Sequence, residues 1–456
     1  MTSEVVVMNR IAVALAADSA ATVGGPGHGE HKIYNSADKL FMLSRRHPVG
    51  VMVYGNSTLV DIPWETIIKM FRQQLGDAER PYLAEYGKEL RNFLTGHPDL
   101  FPIASQKACY IDSIQDFLTT EILEPVEDEI LEKITQEYKN VEQSEGKAIA
   151  AKRIRLVLEK LQKREDSPHF TAEDANFVAG QDSDRVHRVY TELFGTLRIE
   201  KEQIDMLAKL VRLFITKDYF HPDLASGVVI AGFGKKEHFP VMESFDIGGV
   251  YRDRLKFGPI HREEIGLKKP SIIVPYAQSE MVRTFLSGMS TEVDYHYLST
   301  LMYFIKTIPK FVLTEATGFR GKKLQDRIDK VTPMLMEATK ATFRDLLKYK
   351  KDEHAQPIID AIRFLPKDQL AHVASSLVNL NSFQKRMSLH PETVGGPIDV
   401  AVISKGDGFV WIERKHYFRK DLNPHYFRNI QLPGAVGGVT NEPKATPDDG
   451  QGDAGA

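Results

Sequence analysis

The sequence predicts an α+β protein. Three observations carry that expectation. Strand-like segments fall in three separated blocks, roughly 1–56, 226–277 and 395–415, and the stretches between them carry helical periodicity. Within each block, short apolar runs are joined by turn-sized gaps, the pattern of antiparallel pairing. Hydrophobic residues make up 42% and charged residues 27%, the balance of a chain that buries a core and wets its outside. The 456 residues are read as one core broken by insertions. Residues 1–75 hold its first part, 76–225 a helical insertion and 226–300 its central part. Residues 301–365 are a second helical insertion, 366–430 the last part of the core, and 440–456 a disordered tail.

The elements follow in order. Glu4 to Met8 is β-branched and extended, Asn9-Arg10 reads as a turn, and Ile11 to Ala17 is small and apolar, so 4–17 is a hairpin. Strands are expected at Lys39–Leu43 and Val49–Tyr54. The period then changes: Val60, Trp64, Ile67, Ile68, Phe71 and Leu75 fall at helical spacing, with Pro63 in the opening turn. Residues 76–215 read as almost wholly helical, and the charge-dense Glu121–Lys163 reads as a solvated helical face. Strand character returns at Gly227–Phe233, Phe239–Ile247 and Ser271–Ala277. A helix starts at Gln278, more helix runs through roughly 300–387, and Ile398–Ser404 and Gly408–Glu413 are the last strands. From Thr440 the chain lacks the apolar residues a packed core needs.

Composition excludes several classes. The net charge is −3, so there is no overall pull toward nucleic acid or an anionic membrane surface. The single cysteine, Cys109, excludes an internal disulfide framework and a Cys-based zinc cluster, and suits a reducing compartment. No apolar run approaches a membrane span and no secretory signal is visible, so a cytoplasmic protein is expected.

The second residue carries the most chemistry. Removal of Met1, which a small second residue permits, makes Thr2 the chain terminus. A terminal threonine carries a hydroxyl nucleophile and an amine whose ordinary pKa, about 7.7–8.0, lets it act as general base for that hydroxyl. Asp18 closes an otherwise apolar strand, and a buried carboxylate there needs a partner. Lys32 is a candidate. A lysine held against Asp18 and Thr2 would favour a neutral amine and a partly ionised hydroxyl. On spacing alone, the simpler account is a strand-end Asp and a loop Lys, both in water.

At this point the sequence resembles a known family. Leu15 to Thr22 (LAADSAAT), Lys32-Ile33-Tyr34, Asp38-Lys39-Leu40 and Val49 to Ser57 (VGVMVYGNS) look like the first part of proteasome β-subunits and bacterial proteasome-type peptidases, which are N-terminal-nucleophile (Ntn) hydrolases. Gly227 to Phe233 with Phe239 to Ile247 resembles the family's central hairpin. Val394-Gly395-Gly396-Pro397-Ile398-Asp399 looks closest to the ancestral-beta-subunit (Anbu) branch. The resemblance implies a four-layer αββα sandwich with large helical insertions. It implies Thr2 as nucleophile, Asp18 as lysine partner, Lys32 as the active lysine, and Gly55 as the glycine whose N–H holds an oxyanion. Thr2 to Lys32 is shorter than the family spacing, so Lys39 is a second candidate. Lys32 is preferred because Asp38-Lys39 then falls on the family's own downstream Asp-Lys pair. The family's amine-positioning residues have only approximate counterparts: Glu392 or Thr393, and Ser279, which could instead cap a helix.

Other features rank lower. Gly24 to His31 is glycine-rich with two histidines but lacks the phosphate-loop pattern, and reads as a loop beside the site. The basic-aromatic stretch Lys415 to Arg428 fits subunit contact better than nucleic acid. Cys109 reads as a structural thiol. No metal or cofactor is expected. The implied function is a threonine-type endopeptidase acting on peptides or unfolded protein, self-assembled into a homo-oligomer, with no membrane or nucleic-acid partner and any ATPase partner unidentified. The alternatives are an amidase on small molecules and a catalytically inactive scaffold of the same fold.

Overall fold

The computed structural model describes residues 2–23, 32–95, 97–137, 141–174, 183–195, 199–222, 224–318, 320–387 and 395–425. The expected tail at 440–456 lies outside the described residues, as does the glycine-rich stretch 24–31.

The chain opens with β1 (Ser3–Asn9) and β2 (Ala12–Ala17), paired from Glu4↔Ala17 to Met8↔Val13. Asn9 makes the turn: its Oδ1 accepts from the N–H groups of Ile11 and Ala12, at 2.9 and 3.2 Å. Short strands β3 (Ala21–Val23) and β4 (Lys32–Tyr34) form a separate ribbon. Then come β5 (Leu40–Met42), β6 (Val49–Gly55) and the two-residue strands β7 (Thr58–Leu59) and β8 (Ile62–Pro63). The second block supplies β9 (Ser226–Gly232), β10 (Val241–Tyr251), β11 (Arg254–Phe257), β12 (His261–Glu264) and β13 (Ser271–Ala277). The third supplies β14 (Asp399–Ser404) and β15 (Gly408–Glu413).

These strands make two main antiparallel sheets. The first has the order β13-β1-β2-β14-β15, so all three sequence blocks meet in it. The second has the order β11-β10-β9-β6-β5, with β12 also on β10. The sequence reading missed β11 and β12. The second of these, HREE, is charged throughout, as tolerated where side chains stay half in water.

Alternation along β1 and β2 explains why both strands are apolar on each face. Val6, Met8, Val13 and Leu15 pack with Met52, Val229 and Ala231 of the second sheet. Val5, Val7, Ala14 and Ala16 pack instead against Val282, Leu370, Ala374 and Val378. These last belong to helices α8 (Glu280–Ser287) and α12 (Lys367–Met387). On the second sheet, Val49, Val51, Val228 and Ile230 meet Trp64, Ile68, Phe71, Tyr86 and Leu90. These aromatic and aliphatic residues lie on α1 (Trp64–Leu75) and α2 (Leu83–Thr95), and α1 begins where Pro63 was expected to open it.

The first insertion continues with α3 (Ile103–Leu118), α4 (Glu124–Glu137), α5 (Gln143–Gln162), α6 (Ser183–Phe194) and α7 (Lys201–Thr216). It has its own core, in which Phe117, Ile122, Val126, Ile154, Val157, Leu210 and Phe214 are buried. The expectation of a solvated face over Glu121–Lys163 is therefore corrected. Its charges face water, but the apolar residues at three- and four-residue steps close a second core. The second insertion holds α9 (Thr291–Thr317), α10 (Gly321–Tyr349) and α11 (Gln356–Ile362). Past Arg414 the chain forms a separate compact unit, described over 415–425, with a 3-10 turn at Lys420–Leu422 and an Arg419–Asp421 ion pair at 2.6 Å. Among the described residues no helix is long and apolar enough to cross a membrane.

Candidate active site

The site is built where β1 begins. The carbonyl of Thr2 accepts from the Gln278 N–H at 2.9 Å, extending the β1–β13 pairing by one bond. Thr2 is 4% exposed, and its Oγ1 has no hydrogen-bond partner among the described residues. Ser3 is clamped from two sides. Its N–H donates to Asp18 Oδ1 at 3.0 Å, and its Oγ accepts from Asn381 Nδ2 at 2.6 Å. Asn381, on α12, also donates to the Gln278 carbonyl at 2.8 Å, so one amide holds both strands flanking Thr2.

Asp18 is the first residue after β2. There the ladder ends and backbone N–H groups of neighbouring segments point inward. Its Oδ1 accepts from Ser3 and from Lys39 Nζ, the latter at 2.7 Å. Its Oδ2 accepts from Gly395 N–H at 3.0 Å and Ala20 N–H at 3.4 Å. Lys39 Nζ donates in addition to the Ala20 carbonyl at 2.5 Å. Both side chains are buried, so this is an ion pair whose desolvation is offset by a full set of hydrogen bonds. Lys39 is held there because its carbonyl accepts from Val53 N–H of β6 at 2.9 Å, immediately before β5 begins.

The partner that the structure gives Asp18 is Lys39, the second candidate from sequence. Lys32 lies on β4, in a ribbon that belongs to neither main sheet, and its side chain lies outside the described residues. The reason is topological. The carboxylate of Asp18 closes β2 of the first sheet, and Lys39 opens β5 of the second, so packing the two sheets brings these ends together.

Gly55 ends β6 with φ of +80°, and a Cβ there would lie 2.3 Å from the Ala225 carbonyl oxygen. Glycine is required by the backbone at this point whatever else its N–H does. Ser279 precedes α8 but makes no capping bond. Its Oγ accepts from Arg283 Nε at 2.9 Å. It lines a cavity of about 360 Å³ with Gln278, Arg283, Asn381 and Lys385, beside the bonds that hold Thr2 and Ser3. Glu392 and Thr393 lie outside the described residues.

One residue of the site was not singled out from sequence. Glu4 is 0% exposed, and neither carboxyl oxygen has a hydrogen-bond partner among the described residues. Burial pushes its pKa up from 4.5 to about 8, Lys39 pulls it down, and Asp18 pushes it further up. It sits opposite Ala17 and Tyr276, and Tyr276 stacks on Tyr54 with ring centroids 5.3 Å apart. Burial holds both tyrosine hydroxyls above their ordinary range. The signal was present in the strand text: Glu4 shares its face with Val6 and Met8, which point between the sheets.

Cys109 stands apart from this group. Its Sγ lies 3.3 Å from Asp61 Oδ2, and burial, then the Asp61 hydrogen bond, push the thiol up to about 12. Such a thiol is not a nucleophile at neutral pH. Among the described residues no group of three or more His, Cys, Asp and Glu is placed to hold a metal ion.

No family model matches the chain, and no curated protein matches it. Among solved structures, the chain is similar to a Gly-1 mutant of Anbu from Hyphomicrobium sp. strain MC1, at 8% identity, with 94% of this chain and 95% of that chain covered and a TM-score of 0.25. It is also similar to Anbu from the same organism in a second crystal form, at 12% identity, with 94% and 91% covered and a TM-score of 0.25.

Proposed function

We propose that the chain is a proteasome-like threonine hydrolase of the N-terminal-nucleophile kind, acting on peptide bonds as a homo-oligomer. The observation that carries this reading is the arrangement at β1. A threonine with a buried, unpartnered hydroxyl precedes a serine whose N–H is bound by Asp18, and Asp18 holds a buried lysine. The proposed architecture is the four-layer αββα sandwich. It is supported by three cores: one between the sheets, and one on the outer face of each sheet against helices.

The reaction follows from these groups. Loss of Met1 turns the Thr2 nitrogen into a free amine. Thr2 Oγ attacks the substrate carbonyl carbon while the amine takes the hydroxyl proton. Lys39, anchored by Asp18, supplies positive charge that favours the ionised oxygen. It takes the role first given to Lys32. The oxyanion is held by the Gly55 N–H, a donor of a kind worth about 2.7–4 kcal/mol of barrier. The ammonium returns its proton to the leaving amine as the C–N bond breaks, leaving an ester on Thr2. Water then attacks the ester, its proton passing to the amine and on to Thr2 Oγ as the C–O bond breaks, and the acid product leaves.

Intact-mass measurement and N-terminal sequencing come first, since retained Met1 would abolish this mechanism. An epoxyketone probe that needs both the hydroxyl and the amine is expected to label wild type and not Thr2→Ala. Lys39→Ala should lose labelling by about a hundredfold or more, the scale of a lost charge-stabilising group, while Lys32→Ala should not. Loss with Lys32→Ala and not with Lys39→Ala would reverse the assignment. No labelling of a chain that begins at Thr2 would leave the scaffold reading.

A further inference from the structure

We infer that Glu4 is a positioning residue of the Thr2 centre, a carboxylic acid kept neutral so that Lys39 stays directed at Asp18. The inference rests on the reading of Thr2 as nucleophile. The observation behind it is separate: a fully buried carboxyl with no partner for either oxygen among the described residues, two residues from Thr2 on the same strand face. A carboxylate costs far more to bury unpaired than a neutral acid does, so the folded chain holds Glu4 protonated.

The groups facing it come from every neighbouring element. They are Asp18 after β2, Lys39 before β5, Tyr54 on β6 and Tyr276 on β13, with Asp246 of β10 bound by the Tyr54 hydroxyl at 3.0 Å. Of these, Lys39 alone is a cation. Its donors already serve Asp18 and the Ala20 carbonyl. If Glu4 loses its proton to solvent, a second carboxylate competes for the same ammonium. The charge of Lys39 is then shared between two acids, and its hold on Asp18 weakens. Neutral Glu4 avoids that competition. The residue thereby couples the competence of the centre to pH, with loss on the alkaline side.

The test uses the full chain beginning at Thr2 and the epoxyketone probe across neutral and alkaline pH. The wild-type labelling rate is expected to fall at least about tenfold once Glu4 is ionised, the effect of about one pKa unit on a neighbouring group. In Glu4→Gln that fall should shrink to within about twofold, because the amide cannot ionise. Glu4→Met, neutral and of similar volume, is the second variant should the amide fail to fold. An infrared band of a protonated carboxylic acid should be present in wild type at neutral pH and absent from Glu4→Gln. A residue that only filled space would leave the pH profile where it was. An unchanged alkaline fall in both variants, or no acid band in wild type, overturns the inference even if Thr2 labels normally. Absence of labelling at every pH overturns the Thr2 reading first, and the acid band then shows whether Glu4 is nonetheless neutral.

Discussion

In β1, β2, β9 and β14 every residue is buried, while α10, 29 residues long, buries none and α9 buries little more than Ile305. Both regions are rich in apolar residues. In the sheets an apolar strand has a neighbour on each face, another sheet on one side and helices on the other. In the α9–α10 hairpin, among the described residues, each helix packs mainly on the other, so Tyr295, Tyr303, Phe304 and Phe311 stay between 46% and 75% exposed. Apolar content alone thus does not say what is buried. The number of partners that the topology brings does.

The largest way to test that contrast is at the buried pair of the sheets. Asp18→Ala removes the buried carboxylate that Lys39 binds and the acceptor of the Ser3 and Gly395 N–H groups. Breaking such a pair costs about 3–5 kcal/mol. Urea unfolding should show it as a drop in midpoint that could leave the chain unfolded at ambient temperature. A loss under about 1 kcal/mol, the worth of a surface pair, would mean that the site is wet.

Hydrogen exchange sharpens the same comparison without mutation. Amides of β1 and β2 should exchange only through global opening, and those of α10 through local opening at much lower free energy. Equal protection in both regions would show that the hairpin is covered by something in solution.

Glu4 gives a smaller effect with a sign. The unfolded chain releases this proton near the ordinary carboxyl value of 4.5, the folded chain near about 8. Between those values the folded state holds the extra proton, so stability falls as pH rises through that window and is level above it. Glu4→Gln should flatten that slope in unfolding measurements made across the window.

Much of this was legible in the sequence. The β1–β2 hairpin, α1 with its Pro63 start, and the strands at Val49, Ser271 and Gly408 follow from local pattern, because each segment carries its own period and punctuation. Asp18 was legible too, since a charge closing an apolar strand has to be paid for by a partner. Which lysine answers it was not. That depends on how two sheets stack, and nothing in the spacing of Lys32 and Lys39 encodes the stacking. Glu4 was hidden for the same reason: a glutamate near a chain terminus reads as solvated until a second sheet covers it.

The smallest expected effect lies on the hairpin, at one of its most exposed aromatics. Phe311 is 70% exposed and α9 offers it no partner among the described residues that would bury it. Phe311→Ser removes little contact, so unfolding free energy should change by no more than about 0.5 kcal/mol, the scale of an ordinary surface substitution. The base of the hairpin behaves differently. Lys350 is buried and donates to both carboxyl oxygens of Asp294, at 2.6 and 2.5 Å, tying the end of α10 to the start of α9. Lys350→Ala should therefore cost more than Phe311→Ser although it removes a charge and not an aromatic ring. If the ranking came out reversed, with the exposed ring worth more than the buried ion pair, Phe311 would have to be buried in solution. The contrast between covered sheets and an uncovered hairpin would then fail at that residue.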